Sequence, residues 1–280
     1  MLRAQTQFKF QDTLILHVLP GFQDNYFYVI ENPALGCAAA IDPGSAREVE
    51  QCLKTRRLTL THLLLTHHHR DHTGGVSELL QQRSHVHVLC SPWMDLTALL
   101  PSETLVNRVE ANETTTLWDC HIRGVDVRGH TLDHMAFSLH KKETPENLDV
   151  FVGDSLFGAG CGGLFEGTFP QMLQALRNLR SLPASARLWC AHEYTLKNLR
   201  VALRLGEPNQ DLAQRIENLE LKVKNKGVEP HQWMTIPLLL EEEIRTNPFL
   251  RWDSPTLQKA IDTQDDLATF THVRRFRDRF

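Results

Sequence analysis

The sequence predicts an α+β fold in which β-sheets are covered by helices, followed by a helical C-terminal part. Up to about residue 190, short apolar runs alternate with turn residues and with one clear stretch of helical spacing. After His192, helical spacing takes over. We therefore expect two domains, 1–195 and 196–280.

The apolar runs of the first domain predict its strands. Pro20-Gly21 is expected to separate the first two strands as a turn, and Asp42-Pro43-Gly44 to end the third. Residues 46–56 have helical spacing and connect the third strand to the fourth. The predicted strands are 14–19, 26–30, 38–41, 63–65, 86–89, 121–127, 135–140 and 150–153.

The second domain is predicted to consist of helices. Glu207-Pro208-Asn209 separates the first two of them. The predicted helices are 196–205, 211–226, 238–245 and 254–261.

Composition is typical of a soluble enzyme. At 280 residues and 41% hydrophobic content, the chain can bury a sizeable core. A net charge of −4 argues against nucleic acid or an anionic membrane as partner. Six scattered cysteines and a polar start without a signal-peptide pattern lead us to expect a reduced, cytoplasmic protein, taken to be a monomer.

One histidine cluster carries the chemistry. His67, His69, Asp71 and His72 lie within six positions, directly after the apolar run 63–65 and before the turn Gly74-Gly75. Imidazole nitrogen with carboxylate oxygen is the ligand set of zinc, iron or manganese. Alternate residues of a loop can point the same way, so the cluster predicts a metal site. His130, Asp154 and His192, each within or just after a predicted strand, are candidates for further ligands.

These residues belong to motifs that resemble a known family. Thr66-His67-x-His69-x-Asp71-His72 followed by Gly-Gly is similar to the signature of the metallo-β-lactamase superfamily. Narrower motifs resemble its glyoxalase II (hydroxyacylglutathione hydrolase) family, and the resemblance runs nearly end to end. They are A-G-C-G at 159–162, F-E-G-T at 165–168, H-E-Y-T at 192–195 and N-P-F-L-R at 247–251.

The resemblance implies a four-layer αβ/βα sandwich with two divalent metal ions, taken as zinc with iron or manganese as alternatives. It assigns His67, His69 and His130 to one ion, and Asp71, His72 and His192 to the other. Asp154 bridges them, and Asp71 and Asp154 are the expected catalytic carboxylates. His68 and His134 are expected to support or pack.

The activity implied is hydrolysis of S-D-lactoylglutathione to D-lactate and glutathione, in methylglyoxal detoxification. Phe165, Tyr194, Arg274 and Arg277 occupy the positions expected to bind the substrate. Guanidinium groups suit bidentate recognition of a carboxylate. A thioester suits such a site because a thiolate, with a conjugate-acid pKa of about 8.5, leaves without a dedicated acid.

The chain departs from the family pattern at several positions. Gly163 stands where the family usually has Lys or Arg, which removes one cation from the expected glutathione site. Arg70, Val76 and Asp133 replace the usual Trp, Asn and Gly. None of these positions is an expected metal ligand.

Other activities remain open for a chain with this cluster. The alternatives are a glutathione persulfide dioxygenase with one iron, or a metallohydrolase acting on another thioester, a lactone or a phosphoester. The helical stretch 196–280 argues against the dioxygenase.

Overall fold

A computed structural model of the chain describes residues 6–81, 83–141, 148–226 and 234–280. Its contacts divide the chain into two compact units. Unit 1 comprises Met1–Val125 and Asp133–Asn147, and unit 2 comprises Asp126–Leu132 and Leu148–Phe280. The domain boundary expected near residue 195 stays a prediction.

Unit 1 contains a seven-stranded sheet in which strand order follows chain order. The first four strands pair antiparallel and the last four parallel. The strands are β1 (Thr6–Phe10), β2 (Leu14–Gly21), β3 (Asn25–Asn32), β4 (Cys37–Ile41), β5 (Thr59–Leu65), β6 (His87–Cys90) and β7 (Leu105–Arg108).

Helix α1 (Ala46–Arg56) makes the crossover that the parallel pair β4–β5 requires. Its Val49, Cys52 and Leu53 are buried in a core shared with strands β2 to β6. This packing aligns the ends of β4 and β5, where Ile41 pairs with Leu64. Residues that directly follow these two strands therefore meet at one edge of the sheet.

Two short helices follow β5, namely α2 (Arg70–Thr73) and α3 (Val76–Leu80). Unit 1 also holds the antiparallel pair β8 (Thr114–Leu117) and β9 (Cys120–Asp126), with β10 (Met135–Lys141) next to β9.

In unit 2, strand β14 (Arg187–Cys190) lies between β11 (Asp149–Gly153) and β15 (Leu238–Leu239). Strands β11 and β14 are parallel, and Gly153 is in register with Cys190. A hairpin of β12 (Leu156–Phe157) and β13 (Gly160–Cys161) follows β11.

The helices of unit 2 lie mostly after β14. A Thr168–Gln171 capping box with Pro170 begins the earliest of them. Their bounds are α4 (Phe169–Arg180), α5 (Thr195–Leu203), α6 (Gln210–Lys226), α7 (Leu240–Thr246), α8 (Pro255–Ala260) and α9 (Asp266–Arg277). A 3-10 turn, Pro248–Leu250, follows α7.

The predicted elements appear with two corrections. Strand β2 continues through Pro20-Gly21, so the turn lies at 22–24, because proline is tolerated near a strand end where no ladder donor is needed. The helix predicted from residue 238 starts at Leu240, since Leu238 and Leu239 pair with β14 as β15. No helix in the described part of the chain has the length and apolar character needed to cross a membrane.

His62 on β5 should make stability depend on pH. It is half-buried beside His87 on β6, with ring centroids 5.4 Å apart. Burial, with a smaller effect of the neighbouring imidazole charge, lowers the pKa of His62 from 6.5 to about 4. As the pH falls, the imidazole of His62 is protonated in the unfolded chain before it is protonated in the folded protein. The free energy of unfolding therefore decreases as the pH falls from 6.5 to about 4.

His62→Gln should therefore lose less free energy of unfolding than the wild type between about pH 7 and about pH 5. Urea denaturation at both pH values measures this, with exposed His85→Gln as the matched control. The same pH dependence in His62→Gln and the wild type would contradict the assignment.

Candidate metal centre

The histidine cluster of unit 1 converges after β5. His67 Nε2 lies 3.1 Å from His69 Nδ1, and the rings of His67 and His72 are 4.0 Å apart. His72 Nε2 is 3.7 Å from Asp71 Oδ2. Two ligands of one tetrahedral ion are about 3.4 Å apart when each bond is about 2.1 Å. The His67–His69 and Asp71–His72 separations each fit two ligands of one ion.

Asp42 sets the orientation of two of these imidazoles. It follows β4, and its Oδ1 accepts from the Thr66 amide at 2.8 Å while Oδ2 accepts from the Thr66 hydroxyl at 2.7 Å. His72 Nδ1 lies 3.0 Å from Asp42 Oδ2. A carboxylate only accepts, so Nδ1 of His72 carries the proton and Nε2 keeps its lone pair for an ion.

The same relay reaches His67. Its Nδ1 lies 3.0 Å from Thr66 Oγ1. Because Thr66 donates its hydroxyl proton to Asp42, the Thr66 oxygen accepts from His67 Nδ1–H. The Nε2 of His67 is thereby left as the ligand atom.

Asp71 is held by a side chain and by a close backbone approach. Asn25 Nδ2 donates to Asp71 Oδ2 at 3.1 Å. A Cβ at Gly44 would overlap the Asp71 carbonyl, so this turn requires glycine. The Asp-Pro-Gly turn after β4 thus serves the cluster through Asp42 and through Gly44.

Asp154 lies between two imidazoles in unit 2. Asp154 and His192 follow the aligned ends of the parallel strands β11 and β14. Asp154 Oδ1 is 3.5 Å from His192 Nε2, and Oδ2 is 3.4 Å from His130 Nε2. One carboxylate that presents each oxygen to a different imidazole has the geometry of a bridge between two ions.

His130 is oriented by a main-chain carbonyl. Its Nδ1 donates to Gly163 O at 2.7 Å, which leaves Nε2 as the ligand atom. Phe165, 73% exposed, places its ring edge-on at 5.1 Å from the His130 ring. Tyr194 stacks on His192, with ring centroids 4.8 Å apart and planes 8° apart.

His68 and His134 occupy supporting positions. His68 lies 3.0 Å from Asp133, which is one of the departures from the family pattern. The His134 ring stacks on His67 at 4.5 Å. The prediction that neither is a ligand is consistent with these contacts and stays a prediction.

The two arginines of α9 have different surroundings. Arg274 is buried, and its guanidinium donates to Cys161 O at 2.9 Å and to Asp278 at 2.6 and 2.9 Å. Arg277 is half-buried and donates through Nε to Asn198 Oδ1 at 3.0 Å. Burial, and next the charge of Arg274, lower the pKa of Arg277. Burial also raises the pKa of the Cys161 thiol to about 11, which fits a packed, unreactive thiol.

The sequence reading missed the groups that orient the ligands. Asp42 and Gly44 were predicted only as part of a turn that ends a strand, and Asn25 was assigned no role. Asp42 could have been found because it is a carboxylate placed directly after a buried strand parallel to the one preceding the cluster. The role of the Gly163 carbonyl could not have been predicted from sequence, because every residue has a main-chain carbonyl.

Comparisons with known proteins agree with this fold and cluster. Residues 21–192 match the family model described as the metallo-β-lactamase superfamily. Residues 193–280 match the model described as the hydroxyacylglutathione hydrolase C-terminus. Two solved structures share the fold, at TM-scores of 0.60 and 0.63. The first is ETHE1 from Myxococcus xanthus, which is 21% identical in sequence, and the match covers 98% of this chain and 90% of that chain. The second is a metallo-β-lactamase from Staphylococcus aureus, which is 17% identical, and the match covers 95% of this chain and 73% of that chain.

The chain therefore has the metallo-β-lactamase fold with a helical C-terminal part, as predicted. A curated hydroxyacylglutathione hydrolase from Synechococcus sp. strain JA-2-3B'a(2-13) is 40% identical over 262 residues, which is 94% of this chain and 98% of the relative. The chain belongs to the hydroxyacylglutathione hydrolase, or glyoxalase II, family.

Removing Asp42 should weaken metal retention without touching a ligand. In Asp42→Ala, His72 and Thr66 lose their acceptor, and loss of such an orienting partner typically costs about 10- to 100-fold in metal affinity. Metal content after dialysis against graded chelator measures the loss. Exposed Asp95→Ala is the matched control, and equal retention by both variants would contradict the role of Asp42.

Proposed function

We propose that the protein hydrolyses S-D-lactoylglutathione to D-lactate and glutathione. The observation that carries the proposal is Asp154, whose two oxygens face His130 and His192 in a chain of this family. The corresponding cellular role is methylglyoxal detoxification by a cytoplasmic monomer. Membership of the family gives no support to the dioxygenase alternative.

The metal centre is proposed to hold two divalent ions. His67, His69 and His130 would hold one, Asp71, His72 and His192 the other, and Asp154 would bridge them. The nitrogen and oxygen donor set fits zinc, with iron and manganese as alternatives. The orientation of His67, His72 and His130 through Nδ1 supports the proposal, because each ring keeps Nε2 available.

The ions, when bound, supply Lewis acidity and lower the pKa of water towards neutrality. The protein supplies position. Asp71, with Oδ2 held by Asn25, would accept a hydrogen bond from the attacking water through its other oxygen. Asp154, which lies between His130 and His192, would contribute a carboxylate oxygen to each of the two ion sites. The thiolate leaving group, with a conjugate-acid pKa of about 8.5, needs no dedicated acid from the protein.

The tripeptide part of the substrate is proposed to bind near Tyr194, Phe165, Arg274 and Arg277. Burial, and next the charge of Arg274, lower the pKa of Arg277, and a bound anion would favour the charged form of its guanidinium. The glycine carboxylate of glutathione is such an anion, and Arg277 offers it a planar pair of N–H donors. The exposed ring of Phe165 offers an apolar surface to the same ligand.

The protein should bind close to two ions per chain, and Asp154→Ala should lose both metal and turnover. Without this carboxylate the two cations are uncompensated, so we expect activity to fall by orders of magnitude. Elemental analysis and thioester hydrolysis test this, with exposed Asp253→Ala as control. If Asp154→Ala still bound two ions and had wild-type turnover, the proposed bridging role of Asp154 would be wrong.

Arg277→Ala should raise KM for S-D-lactoylglutathione about 10- to 150-fold and leave kcat nearly unchanged. The reason is that the proposed contact between Arg277 and the glycine carboxylate stabilises the bound substrate and the transition state equally. A lactoyl thioester lacking the tripeptide should be hydrolysed as by the wild type. Arg279→Ala is the matched exposed control.

Gly163→Lys, which restores the cation that the family usually has, should lower KM. A Cβ at Gly163 meets only Phe165 Cε2, at 3.6 Å, and no left-handed backbone opposes the change. Equal treatment of the tripeptide and truncated thioesters by the wild type would exclude glutathione as the recognised carrier.

A further inference from the structure

Segment 158–163, which runs through β13, is held residue by residue by side chains from elsewhere in unit 2. Each of its six residues makes a main-chain hydrogen bond to such a side chain. The bonds are Asn198 Nδ2 to Gly158 O (3.0 Å), Ala159 N to Glu243 Oε2 (2.9 Å), Asn247 Nδ2 to Gly160 O (3.0 Å), Arg274 Nη1 to Cys161 O (2.9 Å) and Gly162 O (3.3 Å), and His130 Nδ1 to Gly163 O (2.7 Å).

Arg274 is the most constrained member of this set. It is 4% exposed, and its Nη1 serves two successive carbonyls, those of Cys161 and Gly162. Its Nε and Nη2 donate to Asp278, which lies four residues further on, directly after the end of α9. The guanidinium also lies 5.1 Å from the Phe249 ring centre. A guanidinium fixed on three sides fixes the carbonyls it binds.

The segment approaches Asp154 and His130 closely at Gly162. A Cβ at Gly162 would overlap the Asp154 carbonyl and lie 2.9 Å from His130 Nδ1. Only glycine allows this approach, and the next carbonyl along the chain is the one that His130 uses. A movement of the carbonyls of Cys161 and Gly162 is therefore passed directly to Gly163 O.

We infer that Arg274 is a positioning residue for the metal ligand His130. It holds the main chain of residues 161–162, and so fixes the Gly163 carbonyl that sets the tautomer and ring orientation of His130. This inference rests on the proposed metal-binding role of His130. It gives α9 a function at the metal centre in addition to the substrate contact proposed for its arginines.

Arg277 provides the contrast, although it lies only one turn away. Its Nε donates to Asn198 Oδ1, and the amide nitrogen of Asn198 donates to Gly158 O at the far end of the segment. Removing Arg277 leaves both carbonyl bonds of Arg274 in place. Positioning of His130 should therefore depend on Arg274 much more than on Arg277.

The test measures metal affinity by chelator competition in the full-length protein, together with the absorption spectrum of the cobalt-substituted form. In Arg274→Ala we expect one of the two ions to be held about 10- to 100-fold more weakly, with a changed cobalt spectrum. At saturating metal, kcat should fall as well. Arg277→Ala and the exposed Arg279→Ala should both keep wild-type affinity and spectrum.

A second variant covers the case in which Arg274→Ala does not fold. Asp278→Ala leaves Arg274 in place but removes one of its three supports, and Asp278 is 54% exposed. It should weaken the same ion by a smaller factor. Arg274→Lys keeps one nitrogen that can donate to these carbonyls but loses the planar fork that also reaches Asp278, so it should give an intermediate affinity.

The possible results are distinguishable. Wild-type metal affinity in both Arg274→Ala and Asp278→Ala, with only KM raised, would overturn the positioning role and leave Arg274 as a substrate contact. His130→Ala tests the premise. If it retains two ions at wild-type affinity, the proposed ligand assignment fails, whatever the arginine variants do.

Discussion

The constraint on which the proposed metal centre depends is the direction in which each candidate ligand imidazole points. An imidazole binds an ion through one nitrogen only if its other nitrogen holds the proton and has an acceptor. The chain supplies a carboxylate for His72, a hydroxyl relay for His67 and a main-chain carbonyl for His130. Strand ends and loops hold these acceptors in place, so the orientation of the rings depends on the local fold.

Parallel strands provide two of these fixed points in the same way. Asp42 and Thr66 follow the aligned ends of β4 and β5, and Asp154 and His192 follow the aligned ends of β11 and β14. Ladder hydrogen bonds and core packing hold the strand ends, so residues just beyond them inherit a defined position. Glycine at 44 and at 162 then lets backbone approach the ligand residues more closely than any side chain would allow.

Much of this could be predicted from sequence, since residue type carries the signal. Apolar runs gave β3, β4 and β10, helical spacing gave α1, and imidazole and carboxylate groups marked the cluster at 67–72. Two kinds of feature could not be predicted from the sequence. The strand β15 is a two-residue pairing decided by β14, with no periodicity of its own. The acceptor of His130 is a carbonyl, which every residue has, so only the path of the chain reveals it.

The motifs that identify the family also have a physical reason to occur together. Asn247 begins N-P-F-L-R, and its amide nitrogen bonds the carbonyls of Phe157 and Gly160 and the buried Glu243, while its oxygen accepts from Phe249 N. Glu243, paired with Arg215, accepts from Ala159 N. The A-G-C-G segment and the helical residues eighty or more positions later are therefore two sides of one hydrogen-bond network. A change on one side leaves buried polar groups without partners on the other. The helical region thus stabilises the segment that orients His130.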